Sequence, residues 1–167
     1  MKLKIDPQRT AVLLLDVQRD LVDITPGLKQ NRVIENMAGV LKAARRRKLP
    51  VIHITASVRA DFLDLPKDNP LWDGLRKKRQ LIIGTKGAAI DPRVRPLKNE
   101  LVLNKTCVDP FLTTNLGQAL QNAYHFHFDR DTSPHRVETF QMIKSVLLES
   151  MLPPVVEKIM RRITVLE

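Results

Sequence analysis

The amino-acid sequence predicts an α/β fold, a three-layer α/β/α sandwich with a mostly parallel sheet. Two apolar runs, 11–16 and 51–55, are typical of buried strands, and the segment between them, 31–48, repeats its apolar residues at helical spacing. A β-α-β order within about 45 residues favours parallel strands joined by a right-handed crossover. A third apolar run, at 101–104, extends the sheet.

The other elements are predicted from turn residues and from periodicity. Pro26 and Gly27 indicate a loop over 20–27, and four prolines with several glycines indicate a long surface excursion over 58–98. Excursions of this kind often cover a site. Beyond the third strand we predict a helix over 113–121 with Thr113 or Thr114 as N-cap, a strand over 123–128, a helix from Pro134, and a last helix over 155–162.

Length and composition indicate one soluble domain spanning 1–167. The chain is 43% hydrophobic and 28% charged, which is ordinary for a globular protein. Its apolar stretches all fall short of the ~20 residues that cross a membrane. The N-terminal residues lack the apolar core of a secretory signal, and a single cysteine fits a reducing compartment. We therefore expect a cytoplasmic protein that does not bind membranes.

The formal net charge of +10 comes partly from three basic clusters, 45–48, 76–79 and 161–162. Solvated helix faces explain such clusters, and the first lies where cations complement a helix dipole. Nucleic-acid binding is not favoured, because the basic stretches do not interleave with aromatic residues. Attraction to an anionic substrate or surface stays open.

A carboxylate stands at the end of the first run, 11–16. Asp16 is costly beside a buried strand unless it is paired or the strand end opens into a binding crevice. Capping of a following helix is the alternative. The third apolar run also ends beside a charge, that of Lys105. Because parallel strands end at the same edge of a sheet, we expect Asp16 and Lys105 to meet there in an active site.

Three segments together resemble the isochorismatase-like cysteine hydrolases, a family that includes nicotinamidases and N-carbamoylsarcosine amidases. The first, 10–20, has an apolar strand followed by D-x-Q. The second, 105–116, has the pattern K-x5-F-x2-T-x-L, formed by Lys105, Phe111, Thr114 and Leu116. The third, 84–92, is similar to the glycine-containing segment that precedes this lysine in the family. The resemblance runs from about Thr10 to Leu120.

The resemblance implies a doubly wound, Rossmann-like fold and a catalytic triad of Asp, Lys and a nucleophilic Cys. On this match Asp16 is the acid/base carboxylate, and Lys105 is the lysine beside it. An ammonium group and a helix N-terminus lower the pKa of a thiol, so the thiolate forms. The carboxylate takes the thiol proton and returns it to the leaving group, while backbone N–H groups stabilise the oxyanion.

The chain departs from the family pattern after Lys105. The family places its cysteine further along, in a turn of the type G-V-x-T-x-x-C-V, and positions 130–140 hold neither a cysteine nor such a turn. We predict that the strand-turn-helix unit carrying the nucleophile is missing, so that the domain is shortened. Cys107 is a replacement nucleophile, a half-buried loop thiol or a redox-sensitive site, and Thr106 and Ser133 are possible hydroxyl substitutes.

The sequence predicts no metal and no cofactor. His125 and His127 share one face of the predicted strand, but a third ligand at a diagnostic spacing is missing from the sequence around them. The stretch beginning at Asp61 lacks the histidines with which nicotinamidases bind metal. This argues against a nicotinamidase.

Three further side chains have two interpretations each. Gln18 either orients Asp16 or caps the next turn, and we favour the cap. Phe62 and Trp72 either line a substrate pocket or anchor the long excursion.

Two functions follow. The first is a hydrolase of a small amide or related C–N or C–O substrate, impaired by loss of the cysteine nucleophile. The alternative is a non-catalytic homologue that binds a small molecule or a protein partner. Because a missing central strand leaves backbone groups unpaired, we also expect a strand supplied by 123–128 or a homo-oligomer.

Overall fold

The structure is a computed structural model that describes residues 11–25 and 32–124, and these ranges hold a three-stranded sheet between helices. Within them no helix is both long and apolar enough to cross a membrane. The elements are β1 (Val12–Leu15), α1 (Arg19–Ile24), α2 (Val33–Arg46), β2 (Val51–Thr55), α3 (Pro70–Lys78), a 3-10 turn (Pro92–Val94), β3 (Leu101–Asn104), α4 (Pro110–Thr113) and α5 (Leu116–Tyr124).

The sheet is parallel, in the order β1-β2-β3. Every residue of the central strand β2 is buried, as the continuous apolar run predicts for a parallel strand covered on both faces. The ladder continues one residue past each outer strand. The Asp16 N–H donates to the Ile54 carbonyl at 2.8 Å, and the Lys105 N–H donates to the Thr55 carbonyl at 2.8 Å. The carboxyl ends of β1 and β3 are therefore fixed on either side of β2.

One face of the sheet is covered by α2. The apolar stripe of this helix packs against alternate residues of β1 and the start of β2, because strand side chains alternate between faces. The cluster includes Val12, Leu14 and Val51 from the strands and Ile34, Met37, Leu41 and Ala44 from the helix.

The opposite face is covered by α5. Leu116 and Leu120 are fully buried there, against the strand residues that point away from α2: Leu13, Leu15, Ile52, Ile54 and Leu103. Helices on both faces of a parallel sheet make a three-layer α/β/α sandwich. The predicted fold class is confirmed.

A partly buried ionic cluster joins α2 to the start of β3. Arg45 donates to both carboxylate oxygens of Glu100 at 2.7 Å, and the ring of His53 on β2 lies 3.2 Å from the same carboxylate. Burial alone would raise the pKa of Glu100. Hydrogen bonds from Arg45, the Leu97 N–H and His53 outweigh it and lower that pKa to about 2. The cluster therefore holds an ionised carboxylate between α2 and the start of β3.

Three local predictions are wrong. Residues 20–24, predicted as a loop, belong to α1, because Val22 joins the α2-side core and Pro26 and Gly27 mark only the stretch that follows. The helix predicted over 113–121 begins three residues later, at the start of α5, because Thr113 ends the separate helix α4. Between them, Thr114 donates to the Pro110 carbonyl and accepts from the Leu116 N–H. Residues 123 and 124, predicted as the start of a strand, end α5; the rest of that strand lies outside the described residues.

The excursion between β2 and β3 has its own small core, formed by Ala56, Val58, Leu65, Trp72, Leu75 and Leu81. Backbone hydrogen bonds join the start of the excursion to its middle, since the Val58 N–H donates to the Leu81 carbonyl and the Ile83 N–H donates to the Val58 carbonyl. Trp72 lies inside this core, and Phe62 packs against it. These two aromatic residues therefore anchor the excursion.

Candidate active site at the carboxyl ends of the strands

Asp16 occupies the turn that directly follows β1. Its backbone has a φ of 58°, in the left-handed region, which aspartate tolerates better than most residues. The side chain is 16% exposed. Its backbone N–H completes the β1–β2 ladder, so the last bond of the sheet fixes the carboxylate at the sheet edge.

Lys105 reaches the same place from the other side of the sheet. Its side chain is 5% exposed, and its Nζ donates to Asp16 Oδ2 at 2.8 Å and to the Val108 carbonyl at 3.1 Å. β1 and β3 are separated by β2, so the ion pair spans the carboxyl end of the central strand. The structure brings together the two residues that the sequence predicts at this edge. Their catalytic role stays a prediction.

The second oxygen of Asp16 is the unusual feature of the pair. Oδ1 is buried and has no hydrogen-bond partner among the described residues. Burial raises the pKa of the Asp16 carboxyl, and the charge and hydrogen bond of Lys105 oppose that rise. The result is a carboxylate with one oxygen held by an ammonium group and one oxygen able to accept a proton.

Gln18 does not cap the following helix with its side chain, contrary to our interpretation. The residue is fully buried, and its Nε2 donates to Ser57 Oγ at 2.9 Å and to the Ala88 carbonyl at 2.8 Å. Its Oε1 accepts from the Ala56 N–H at 2.7 Å. The amide has used its donors and an acceptor, and these bonds leave Asp16 out. Gln18 therefore joins the turn after β1 to the end of β2 and to the excursion.

Sequence reasoning missed the polar residues at the ends of β2 and β3. Asn104 Oδ1 accepts from the Ser57 N–H at 2.7 Å and from Thr55 Oγ1 at 2.9 Å, while its Nδ2 donates to the Ser57 carbonyl at 2.8 Å. Asn104 thus extends the pairing of β2 and β3 beyond their backbone ladder. The signal in the sequence is an amide placed directly before Lys105.

Asp20 and Gly87 form a second missed contact. The Asp20 N–H donates to the Gly87 carbonyl at 2.9 Å, and the Asp20 carboxylate accepts from the Leu81 N–H at 2.7 Å. A Cβ at Gly87 would overlap the Asp20 carboxylate. This explains physically why glycine stands in the segment 84–92 that carries the family resemblance.

Cys107 lies in the loop between β3 and α4 and is half-buried. Its Sγ donates to the Asp109 carbonyl at 3.0 Å and lies 3.7 Å from Thr113 Oγ1. Within the described part of the chain, the thiol makes no hydrogen bond to Asp16 or Lys105. Among the described residues, the Cys107 thiol is therefore not hydrogen-bonded to the ion pair of Asp16 and Lys105.

The metal-ligand candidates and the hydroxyl candidate Ser133 lie beyond the part of the chain that the structure describes. The described ranges contain no group of three or more His, Cys, Asp or Glu side chains that could hold a metal ion. His125, His127 and Ser133 fall outside the described residues, as does the stretch 130–140 in which the family cysteine is missing.

A family model and solved structures relate this arrangement to known proteins. A family model described as Isochorismatase domain matches residues 10–124. A search of curated proteins gave no match.

Solved structures give the same fold. A cysteine hydrolase from Pseudomonas syringae pv. phaseolicola is 22% identical with a TM-score of 0.62, over 74% of this chain and 58% of that one. An isochorismatase family protein from Desulfovibrio vulgaris is 26% identical with a TM-score of 0.58, over 69% of this chain and 62% of that one. An N-carbamoylsarcosine amidase from Thermoplasma acidophilum is 23% identical with a TM-score of 0.54, over 68% and 61%.

The matched part of this chain spans less than two thirds of each of these structures, 58%, 62% and 61%. The family model, by contrast, covers more than half of the chain and both members of the ion pair. The parallel strand order, the paired Asp16 and Lys105 and the glycine segment agree with that match, and the chain belongs to the isochorismatase family.

Proposed function

We propose that this protein is a hydrolase acting on a small amide or a related C–N or C–O bond, with Asp16 as its acid/base. The observation that carries the proposal is the unequal use of the two carboxylate oxygens. Lys105 Nζ holds Oδ2 at 2.8 Å, while the buried Oδ1 has no partner among the described residues. A charge-assisted bond orients the carboxylate and leaves one oxygen for a proton in transit.

The electrostatics support the same role. Burial raises the pKa of the Asp16 carboxyl above its usual value, and a raised pKa favours the exchange of a proton with a reacting group. The hydrogen bond from Lys105 Nζ to Oδ2 opposes that rise, because it favours the ionised form of the carboxyl group. Asp16 then accepts a proton from the nucleophile and returns it to the leaving nitrogen or oxygen.

The position of the Cys107 thiol supports a reduced hydrolase activity and also favours a second candidate function. It is the only cysteine of the chain, and its Sγ donates to the Asp109 carbonyl instead of to Asp16. If it is not the nucleophile, the same strand ends still offer a buried charge pair to a ligand. The second candidate is thus a non-catalytic homologue that binds a small molecule or a protein partner there.

Ammonia release from a panel of small primary amides and N-carbamoyl amino acids separates the two functions. The proteins compared are the parent, Asp16→Asn and Cys107→Ala. We expect slow turnover by the parent and its loss in Asp16→Asn, because the neutral amide cannot take a proton. Retention of that turnover in Cys107→Ala identifies a reaction that uses the acid without this thiol.

Binding without turnover is measured on the same panel by thermal shift. A compound that raises the Tm of the parent but not of Asp16→Asn, with no ammonia released, supports the non-catalytic homologue. Absence of both turnover and binding across the panel contradicts small amides as the substrate class.

We also propose that the protein is a cytoplasmic homo-oligomer whose partners are small molecules. Among the described residues β1 pairs on one side only, with β2, and Val108 and Leu112 are 57% and 77% exposed. An open strand edge and exposed apolar side chains favour self-association. Light scattering coupled to size-exclusion chromatography tests this, and a monomer at all concentrations contradicts it.

A further inference from the structure

A chain of polar side chains runs across the carboxyl end of the sheet, beside the ion pair. It begins at Gln18, two residues after Asp16, passes through Ser57 after β2, and ends at Asn104, directly before Lys105. Gln18 is fully buried, and Ser57 is 9% exposed. The two ends of this series of polar side chains are therefore neighbours in sequence of the two charged residues.

Ser57 is the centre of the chain. Its N–H donates to Asn104 Oδ1 at 2.7 Å, and its carbonyl accepts from Asn104 Nδ2 at 2.8 Å. Its Oγ accepts from Gln18 Nε2 at 2.9 Å. The side chains of two outer strand ends therefore hold the same residue of the central strand end from both sides.

The ion pair needs such support. Neighbouring strands lie roughly 4.8 Å apart, so the ends of β1 and β3 are separated by roughly twice that distance. The ladder provides its last bonds at Asp16 and Lys105, and within the described residues the three strands share no backbone bond beyond them. Past the ladder, the chain Gln18–Ser57–Asn104 takes over the pairing.

We propose that Gln18 is a positioning residue, which holds Lys105 against Asp16 through Ser57 and Asn104. It also ties the same strand end to the excursion, because Nε2 donates to the Ala88 carbonyl at 2.8 Å. None of the bonds that its side chain makes in the described part of the chain reaches either charged group. This role rests on the proposed function, whose site it keeps in place, but its test does not depend on turnover.

The test measures how fast the ammonium protons of Lys105 exchange with water, by ¹⁵N NMR of the parent and of Gln18→Leu. Leucine has a similar volume and removes all three amide bonds. We expect exchange to become about tenfold faster in Gln18→Leu, since a tenfold change corresponds to about 1.4 kcal/mol, the range of one net hydrogen bond. Unchanged exchange in a folded Gln18→Leu overturns the proposal.

Two further variants make the test specific. Ser57→Ala removes the bond to Gln18 but keeps both backbone bonds to Asn104, so a smaller acceleration is expected. Leu41→Ala empties part of the α2-side core, where Leu41 is 1% exposed, without touching the polar chain. It controls for general destabilisation and should leave the exchange of Lys105 unchanged.

Each result then has one meaning. If Gln18→Leu does not fold, an acceleration in Ser57→Ala supports the proposal, and parental exchange in Ser57→Ala overturns it. Equal acceleration in Leu41→Ala and in the polar variants also overturns it. If the parent shows no turnover but Gln18→Leu speeds the exchange of the Lys105 protons, only the hydrolase proposal is contradicted. If the parent shows turnover and the exchange is unchanged in Gln18→Leu, only the positioning role is contradicted.

Discussion

Replacing Glu100 with glutamine tests the partly buried ionic cluster that joins α2 to β3. Both carboxylate oxygens accept from Arg45, and Oε2 also accepts from the Leu97 N–H and lies against the ring of His53. A glutamine side chain turns one of these oxygens into an NH2 group facing donors. Glu100→Gln therefore removes the charge and leaves buried donors without their acceptor.

The size of the effect follows from the pKa. Lowering the pKa of Glu100 from 4.5 to about 2 corresponds to about 3 kcal/mol of stability at pH 7. Because the folded-state pKa lies below the unfolded one, this contribution is complete above the unfolded pKa and is lost as pH falls toward 2. By the same relation it falls to less than half of that value at pH 3.

Urea unfolding at pH 7 and pH 3 measures the difference, followed by circular dichroism and by fluorescence of Trp72, the only tryptophan. We expect the gap between parent and Glu100→Gln to be about 3 kcal/mol at pH 7 and to narrow at pH 3. A gap that does not change with pH would refute the assignment of the stability to the ionised carboxylate.

Asp61 gives a matched control. Its pKa is also lowered to about 2, first by the hydrogen bond from Arg59, but both side chains are solvent-exposed. Exposed pairs contribute little because water screens them and their side chains lose entropy on pairing. Asp61→Asn should therefore leave the urea midpoint almost unchanged. An effect equal to that of Glu100→Gln would show that burial does not decide the outcome.

Three other changes have defined outcomes. Gly87→Ala should destabilise the fold by about 1–3 kcal/mol in urea unfolding, because the new Cβ overlaps the Asp20 carboxylate. Leu120→Ala should cost about 2–5 kcal/mol by the same measurement, because Leu120 is fully buried under the sheet. Lys105→Met should raise the Tm of Asp16→Asn, because the single variant leaves a buried ammonium group without its carboxylate.

Each of these three predictions has a control variant that tests its stated physical cause. Gly74→Ala, in α3 with open space around the added Cβ, should not destabilise the protein. Leu112→Ala should be nearly neutral, since Leu112 is 77% exposed. If Asp16→Asn with Lys105→Met melts below both single variants, the stranded ammonium group is not what destabilises Asp16→Asn.

The sheet and the meeting of its charges were predictable because they depend on local pattern. The runs at 51–55 and 101–104 coincide with β2 and β3, and the helical stripe at 31–48 contains α2. Parallel order then places the residues after β1 and β3 at one edge, which is why Asp16 and Lys105 meet. A short-range signal was sufficient for each step.

The supporting contacts were not predictable, because their partners are far apart in sequence. Gln18 bonds to residues 39 and 70 positions away, and Asn104 bonds to Ser57 across 47 positions. A glutamine beside a helix start can act locally as a cap, and the neighbouring residues do not indicate that it bonds to residues far away in the sequence. The α1 helix was missed for a related reason, since the burial of Val22 favours it and the local residues do not.

The conformation of Asp16 lowers the stability of the fold, and the contacts around it offset that loss. Asp16 holds a left-handed backbone, where non-glycine residues lose about 1–2 kcal/mol, and its Oδ1 is a buried acceptor without a described partner, worth about 1–3 kcal/mol more. A residue kept only for stability would relieve at least one of these strains. The neighbouring polar side chains differ: the amides of Gln18 and Asn104 are hydrogen-bonded through both nitrogen and oxygen, while Asp16 Oδ1 has no partner among the described residues. That contrast supports the proposed acid/base role of Asp16, because a carboxylate oxygen without a partner can take a proton or a ligand.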